Sequence, residues 1–185
     1  MRILTWDLEL RKPVDSLMGG WEAARAGEAG ISALIIKDTE TGRYHIYDDK
    51  RLDQAVDHLN EGELLVGFNS SDFDQGVLTG ITGRQLTTPH YDILAEIWKS
   101  LGGHRQKGYK LDDVCQRTIK RGKSGAGRYA TTLASLGLWG ELFDYCLGDV
   151  HITAELFNHI VDHGWVAGPN DEKLDLAAPP TEEHA

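Results

Sequence analysis

Asp7 and Glu9 form an Asp-x-Glu pair close to the start of the chain. The apolar run over residues 2–8 predicts a β-strand, and side-chain alternation along a strand places both carboxylates on the same face. Adjacent like charges are unfavourable unless a cation lies between them, and a hard divalent metal ion commonly fills this role. The pair therefore indicates a metal site. A second Asp-x-Glu, at Asp38 and Glu40, falls in a predicted hairpin turn, where solvated acids are common.

Two further acids follow the strand predicted over residues 63–68. Residues 69–71 have the chemistry of a helix N-cap, and helical spacing resumes a few positions later. Asp72 and Asp74 both fall in this transition, at the carboxyl end of a strand, where ligand sites of such sheets gather. A helix dipole that favours an acid in the first turn explains either residue equally well when it is taken alone.

A phenol and a carboxylate share one face of the last long helix, which is predicted over residues 141–161. Tyr145 and Asp149 are four positions apart, so their side chains lie one turn from each other and can reach the same small volume. The same spacing recurs at Tyr44 and Asp48 and at Tyr109 and Asp113. Spacing alone therefore does not select one pair.

The order of these three signals resembles the DEDD superfamily of 3′–5′ exonucleases, which have a ribonuclease H-like fold. Asp7 and Glu9 match the first motif of the family, Asp-x-Glu on the first strand. Asn69, Phe73 and Asp74 match the second motif, Asn-x-x-x-Phe/Tyr-Asp, after the fourth strand. The resemblance therefore selects Asp74 rather than Asp72.

The third motif resembles the tyrosine (DEDDy) subclass, which includes the proofreading domains of DNA polymerases and RNase D-like enzymes. Tyr145 and Asp149 match its Tyr-x-x-x-Asp pattern, whereas the histidine version requires His at the position of Asp144. The resemblance covers roughly residues 1–163 and departs from the family after Glu9, where an insertion surrounds residues 18–21. Met18 and Trp21 in that insertion are expected to be buried in packing rather than to stack on nucleobases.

The resemblance implies a two-metal-ion mechanism, with two Mg²⁺ or Mn²⁺ ions about 4 Å apart. The ligands that it implies are four carboxylates, those of Asp7, Glu9, Asp74 and Asp149. Because a tyrosine phenol has an ordinary pKa of about 10, Tyr145 is expected to orient the attacking water rather than to take its proton. Asn69 and Phe73 are expected to contact the substrate.

The activity implied is hydrolysis of single-stranded DNA, or of RNA, from the 3′ end with release of nucleoside 5′-monophosphates. Such an enzyme would act on free 3′ ends in replication or repair, alongside proteins of those processes. Two other functions fit the same residues. One is a non-catalytic nucleic-acid-binding module on this fold, and the other is a structure-selective endonuclease, which also uses clustered acids.

One segment is basic although the chain is acidic. The 185 residues include 19 basic and 29 acidic side chains, and the net charge of -10 argues against bulk attraction of nucleic acid. Residues 104–128 nonetheless hold eight basic and two acidic side chains, a local charge of +6. We interpret this segment as a handhold for substrate phosphates, with the binding residues Lys107, Lys110, Arg117, Lys120, Arg121, Lys123 and Arg128.

The apolar spacing predicts an α/β fold in which a mixed five-stranded sheet, with one antiparallel strand, is flanked by helices. Three strands, a helix and a fourth strand occupy residues 1–68; helices follow, with a short strand near residues 90–91 and a glycine-rich loop over residues 122–127. We expect one exonuclease domain, residues 1–165, and an acidic, disordered tail, residues 166–185.

No apolar run approaches the roughly 20 residues that cross a bilayer, and the first residues turn polar too soon for a signal peptide. We therefore expect a soluble, cytoplasmic protein without a membrane partner. Cys115 and Cys146 are expected to remain reduced thiols, because their spacing fits neither a zinc site nor a redox motif.

Overall fold

A mixed β-sheet with helices on both faces organises the chain. The computed structural model describes residues 1–122 and 130–180. The strands are β1 (Ile3–Leu10), β2 (Ile31–Asp38), β3 (Arg43–Tyr47), β4 (Leu64–Gly67), β5 (His90–Asp92), β6 (Trp165–Ala167) and β7 (Lys173–Asp175). The helices are α1 (Gly20–Arg25), α2 (Leu52–Asn60), α3 (Gln75–Thr82), α4 (Ile93–Ser100), α5 (Leu111–Thr118), α6 (Ala130–Ser135) and α7 (Trp139–His163).

The main sheet has five strands in the order β3-β2-β1-β4-β5. Strand β2 runs antiparallel to both of its neighbours, whereas β1, β4 and β5 are parallel to one another. The predicted fold class is confirmed, because this is a ribonuclease H-like arrangement. The predicted hairpin is also present: the amide of Gly42 donates a 2.9 Å hydrogen bond to the carbonyl of Asp38 between β2 and β3.

Alternate residues of β1 point to opposite faces of the sheet. Leu4, Trp6 and Leu8 pack with the apolar stripes of α2 and α3 in one buried cluster. Helix α7 crosses the other face and packs against β1 and β2. On that face Cys146 of α7 packs with Ile35 of β2, which lies opposite Asp7 in the sheet. The intervening residues of β1, Asp7 and Glu9, therefore face α7.

The C-terminal segment differs from the disordered tail that the sequence predicts. Strands β6 and β7 pair antiparallel, and Val166 and Leu176 are buried in the core beside α4, α5 and α7. The phenol of Tyr91 donates a 2.8 Å hydrogen bond to the carbonyl of Ala177. Two apolar side chains and one backbone acceptor thus order residues 165–177, although this stretch contains a proline and three acidic residues.

Two other expectations concern parts of the chain outside the sheet. Met18 and Trp21 were expected to be buried, yet Met18 is fully exposed and Trp21 is 59% exposed. Of the predicted glycine-rich loop, residues 123–127 lie outside the described residues.

Within residues 1–122 and 130–180, no helix is both long and apolar enough to cross a membrane.

The second Asp-x-Glu pair has a structural explanation at the far end of β1. Asp38 is fully buried, and its Oδ2 lies 2.9 Å from Nη2 of Arg2. Burial alone would raise the pKa of Asp38, but hydrogen bonds from the Arg2 side chain and the Glu40 amide lower this pKa from 3.8 to about 2. Asp38 is therefore a buried ion-pair partner rather than the solvated turn residue that the sequence predicts.

We expect Asp38→Asn to lower the free energy of unfolding by about 2 kcal/mol at neutral pH. The folded pKa of Asp38 lies below the unfolded one, so this contribution is complete above about pH 4 and is lost as the pH falls towards 2. Urea unfolding between pH 7 and pH 3 measures it. Glu40→Gln is the matched control, because the Glu40 carboxylate also pairs with Arg2 but is 66% exposed, and we expect a change below about 1 kcal/mol. A gap between wild type and Asp38→Asn that stays constant with pH would contradict the assignment.

Candidate active site

The two carboxylates of β1 lie at the centre of the sheet. Asp7 is paired in register with Ile35 and Glu9 with Ala33, and a register shift follows between Glu9 and Leu10. Both carboxylates are half-buried. The thiol of Cys146 on α7 lies 3.7 Å from the Asp7 carbonyl oxygen and 3.9 Å from its Oδ2. One face of β1 and one turn of α7 thus meet at these acidic side chains, in what we call the acidic pocket.

Asp74 reaches this pocket through a tight turn after β4. A side chain at Gly67 would overlap the hydroxyl of Ser70, so only glycine allows the chain to turn there. Asn69 then adopts a left-handed conformation (φ 66°), which asparagine tolerates better than most residues. A π-helical turn over Ser70–Asp74 leads into α3, and Asp74 is buried at the junction. Asn69 gives no side-chain capping hydrogen bond, contrary to the predicted N-cap chemistry.

The carboxylate that holds this turn is that of Asp92, at the end of β5. Its Oδ1 accepts hydrogen bonds from the Asn69 amide (2.8 Å) and from the amides of Leu94 (3.0 Å) and Ala95 (3.3 Å). Its Oδ2 accepts from the amide (2.9 Å) and hydroxyl (2.6 Å) of Ser71. Asp92 thereby caps α4 and fixes the turn that carries Asp74. Sequence reasoning missed this residue; the available signal was an acid directly before the apolar stripe of a helix.

Helix α7 contributes the remaining residues. Tyr145 and Asp149 are both buried, one turn apart, as their spacing predicts. Tyr145 packs in a cluster with Ala33, the partner of Glu9 across the sheet. Cys146 is fully buried between them. It was also missed as a site residue, although its position three before Asp149 places it on the same helical face.

The four predicted carboxylates act on the pKa of two buried side chains, Asp74 and Cys146. Burial raises the pKa of Asp74 well above its ordinary range, and the negative charges of Asp7, Glu9 and Asp92 raise it further. Burial likewise raises the pKa of the Cys146 thiol, with contributions from four surrounding carboxylates, those of Asp7, Glu9, Asp149 and Asp74. A neutral, buried thiol is a poor nucleophile, so thiol catalysis does not fit this site.

The side chains of Asp7, Glu9 and Cys146 form a group that could hold a metal ion. One donor atom each from Asp7, Glu9 and Cys146 lie within 4.8 Å of one another. Carboxylate oxygens are the ligands that Mg²⁺ and Mn²⁺ prefer, and a dication would relieve the mutual repulsion of the acids. A second group with this property, Asp38, His45 and His58, lies on the opposite face of the sheet. There the guanidinium of Arg2 already neutralises Asp38.

The predicted phosphate handhold is divided in the structure. Arg117 donates hydrogen bonds to the carbonyl oxygens of Gly108 and Ala167, so it ties the loop before α5 to β6. Arg121 pairs with Glu155 at 3.2 Å. Three lysines of the segment, Lys107, Lys110 and Lys120, are exposed. Lys123 and Arg128 lie outside the described residues.

Fold and site together define a class: a ribonuclease H-like α/β protein with a cluster of buried and half-buried carboxylates at the centre of its sheet. No family model matches the chain. No curated protein matches it either. A solved structure that resembles it is the family B DNA polymerase from the hyperthermophilic archaeon Pyrobaculum calidifontis, with a TM-score of 0.63 and 18% sequence identity. The match covers 86% of this chain but 24% of the polymerase chain, and at this identity it establishes similarity of fold.

We expect Asp92→Asn to lower the free energy of unfolding by about 1–3 kcal/mol, because an amide nitrogen in place of one carboxylate oxygen leaves buried donors without an acceptor. Asp53→Asn is the matched control: Asp53, like Asp92, lies at the N-terminal end of a helix, but its side chain is 76% exposed. We expect its effect to stay within about 0.5 kcal/mol. Urea unfolding of both variants measures the difference, and equal stabilities would show that Asp92 does not hold the turn.

We expect Asp74→Asn to stabilise the metal-free protein by about 1 kcal/mol, because it removes a buried like charge while keeping the shape of the side chain. The same change should abolish most of the stabilisation by Mn²⁺, which for the wild type is about 2.7 kcal/mol at a concentration of 100 times the dissociation constant. Thermal unfolding in EDTA and then in Mn²⁺ gives both quantities without any activity assay. A variant less stable than wild type in EDTA would contradict the proposed repulsion.

Proposed function

We propose that this chain is a metal-dependent 3′–5′ exonuclease that hydrolyses single-stranded nucleic acid and releases nucleoside 5′-monophosphates. The observation that carries the proposal is the convergence of four carboxylates, from β1, the turn before α3, and α7, around Cys146. The motif order in the sequence supports the same conclusion. The matched structure is a DNA polymerase, the class of enzyme whose proofreading domains the tyrosine-subclass motifs resemble.

The carboxylates of Asp7, Glu9, Asp74 and Asp149 would hold the divalent ions. Such ions, Mg²⁺ or Mn²⁺, lower the pKa of bound water and stabilise negative charge on the departing oxygen. The chemistry is a hydrolysis: a water oxygen bonds to phosphorus, the bond from phosphorus to the 3′ oxygen breaks, and the water supplies the proton that the new 3′-hydroxyl gains. The products are a shortened strand and a nucleoside 5′-monophosphate.

The other site residues would orient the reactants. Tyr145 is held in a buried cluster beside Glu9's partner strand, a placement suited to orienting the attacking water through its hydroxyl. Phe73 is half-buried directly before Asp74, where its ring would contact the terminal nucleotide. Asn69 would act through its backbone, which shapes the turn that carries Asp74.

Two matched substitutions test the proposal on strands labelled at the 3′ or the 5′ end, in the presence of Mn²⁺. Glu9→Gln removes one charge from the pocket and should lower the cleavage rate about 100-fold or more. Glu40→Gln alters the other Asp-x-Glu, whose Glu is exposed on the opposite end of the sheet, and should leave the rate unchanged.

The labels distinguish the exonuclease from its alternatives. A ladder of 5′-labelled products that shortens progressively from the 3′ end, lost in Glu9→Gln, supports the proposal. A single internal cut indicates a structure-selective endonuclease instead. Binding without any cleavage by the wild type indicates a non-catalytic nucleic-acid-binding module.

A further inference from the structure

Helix α1 is fixed rigidly beside the turn that carries Asp74. A Cβ atom at Gly80 of α3 would overlap the carbonyl oxygen of Arg25, and one at Gly76 would lie 3.3 Å from Cγ of Arg25. Gly76 and Gly80 are one turn apart, so α3 presents a flat strip on which the end of α1 lies in backbone contact. The insertion after β1 is therefore anchored to the helix that begins directly after Asp74.

An aromatic ring projects from this anchored helix into solvent. Trp21 is 59% exposed, and its ring contacts that of Phe73 edge-on, with the centroids 5.2 Å apart. Phe73 immediately precedes Asp74. An exposed indole on a rigid support loses little conformational freedom when a second flat ring stacks on its open face. Its contact with Phe73 places the indole beside the turn that carries Asp74.

Two guanidinium groups converge beside the same turn. Arg25 donates from Nε to the Asp72 carbonyl oxygen at 3.0 Å and from Nη2 to its Oδ2 at 3.2 Å. Arg105 donates from Nη2 to the same Oδ2 at 3.2 Å, and its side chain is 71% exposed. The two guanidiniums and the Asp72 carboxylate together carry a net charge of +1. Asp72 lies two positions before Asp74. Exposed ion pairs contribute little stability, so these donors can exchange the carboxylate for a phosphate.

We propose that Trp21, Arg25 and Arg105 form a subsite for the 3′-terminal segment of a single strand, in which the indole stacks on an unpaired base and the guanidiniums bind the backbone phosphate. This inference rests on the proposed exonuclease function and names its substrate class. A flat aromatic face and an adjacent pair of guanidiniums match the alternating base and phosphate of a strand. A base in a duplex is stacked on its neighbours and is not free to stack on Trp21, so the subsite selects unpaired ends.

Binding is measured by fluorescence anisotropy of a 5′-labelled oligothymidylate, with every variant made in the Glu9→Gln background so that no strand is cut. Trp21→Ala should weaken binding about tenfold, and Trp21→Tyr, which keeps an aromatic face, should restore most of it. Arg105→Ala should weaken binding and reduce the slope of log K against log salt by about 0.7, the value for one phosphate contact to a single strand. Arg84→Ala is the matched control, since Arg84 is also an exposed arginine paired with aspartates, and should change neither quantity.

Cleavage in the otherwise wild-type protein separates this inference from the proposed function. Trp21→Ala should lower the rate on a single-stranded 3′ overhang about tenfold, whereas Arg84→Ala, whose arginine pairs with Asp53 and Asp57 outside the subsite, should leave the rate unchanged. Equal anisotropy and equal cleavage for wild type, Trp21→Ala and Arg105→Ala would overturn the subsite while leaving the exonuclease intact. Loss of binding in both variants, in a protein that cleaves nothing, would support the subsite and overturn the exonuclease.

Trp21→Ala and Arg105→Ala test the subsite independently of each other. Arg105 lies in an exposed loop, so Arg105→Ala tests the phosphate contact even if Trp21→Ala fails to fold. If this surface instead binds a second copy of the chain, Trp21→Ala will abolish concentration-dependent association in sedimentation and leave oligothymidylate binding unchanged. That outcome overturns the proposal.

Discussion

Repulsion among buried carboxylates is the constraint on which the rest of this structure depends. Burial and the charges of Asp7 and Glu9 raise the pKa of Asp74, and burial and all four acids raise that of the Cys146 thiol, so the clustering of these groups opposes folding. The opposing contribution comes from apolar packing on both sides of the sheet. Trp6 and Ile35, fully buried on opposite faces of two adjacent central strands, hold the strands that position Asp7. A weaker core would let the acids separate into water.

Asp92 illustrates how that constraint limits the choice of supporting residues. Its negative charge raises the pKa of Asp74 and so adds to the repulsion in the pocket. Yet only a carboxylate offers two oxygens without donors of its own, and the turn around Asn69 and Ser71 together with the start of α4 directs only donors at this position. Satisfying these part-buried donors therefore prevails over reducing the local charge, because an unsatisfied donor costs about 1 kcal/mol or more.

Features contained within one element could be predicted from the sequence. Alternation along β1 gave the shared face of Asp7 and Glu9, and helical spacing gave that of Tyr145 and Asp149, because each depends on the geometry of a single segment. The support from Asp92 could not be predicted, because it joins a three-residue strand to a turn about 20 positions earlier. The order of the C-terminal segment was missed for the same reason: composition describes a segment alone, whereas Leu176 is ordered by the core that it contacts.

The distribution of positive charge along the sequence likewise differs from its distribution in the folded structure. Residues 104–128 carry a net charge of +6. However, Arg117 donates hydrogen bonds to backbone carbonyls of the loop before α5 and of β6, and Arg121 forms an ion pair with Glu155. Arg25, far away in sequence, shares the Asp72 carboxylate with Arg105, two positions before Asp74. A protein with a net charge of -10 repels a polyanion over most of its surface. For the strand that we propose as substrate, positive charge is therefore effective only where it lies beside the acids, since there it lowers the electrostatic barrier to the phosphate.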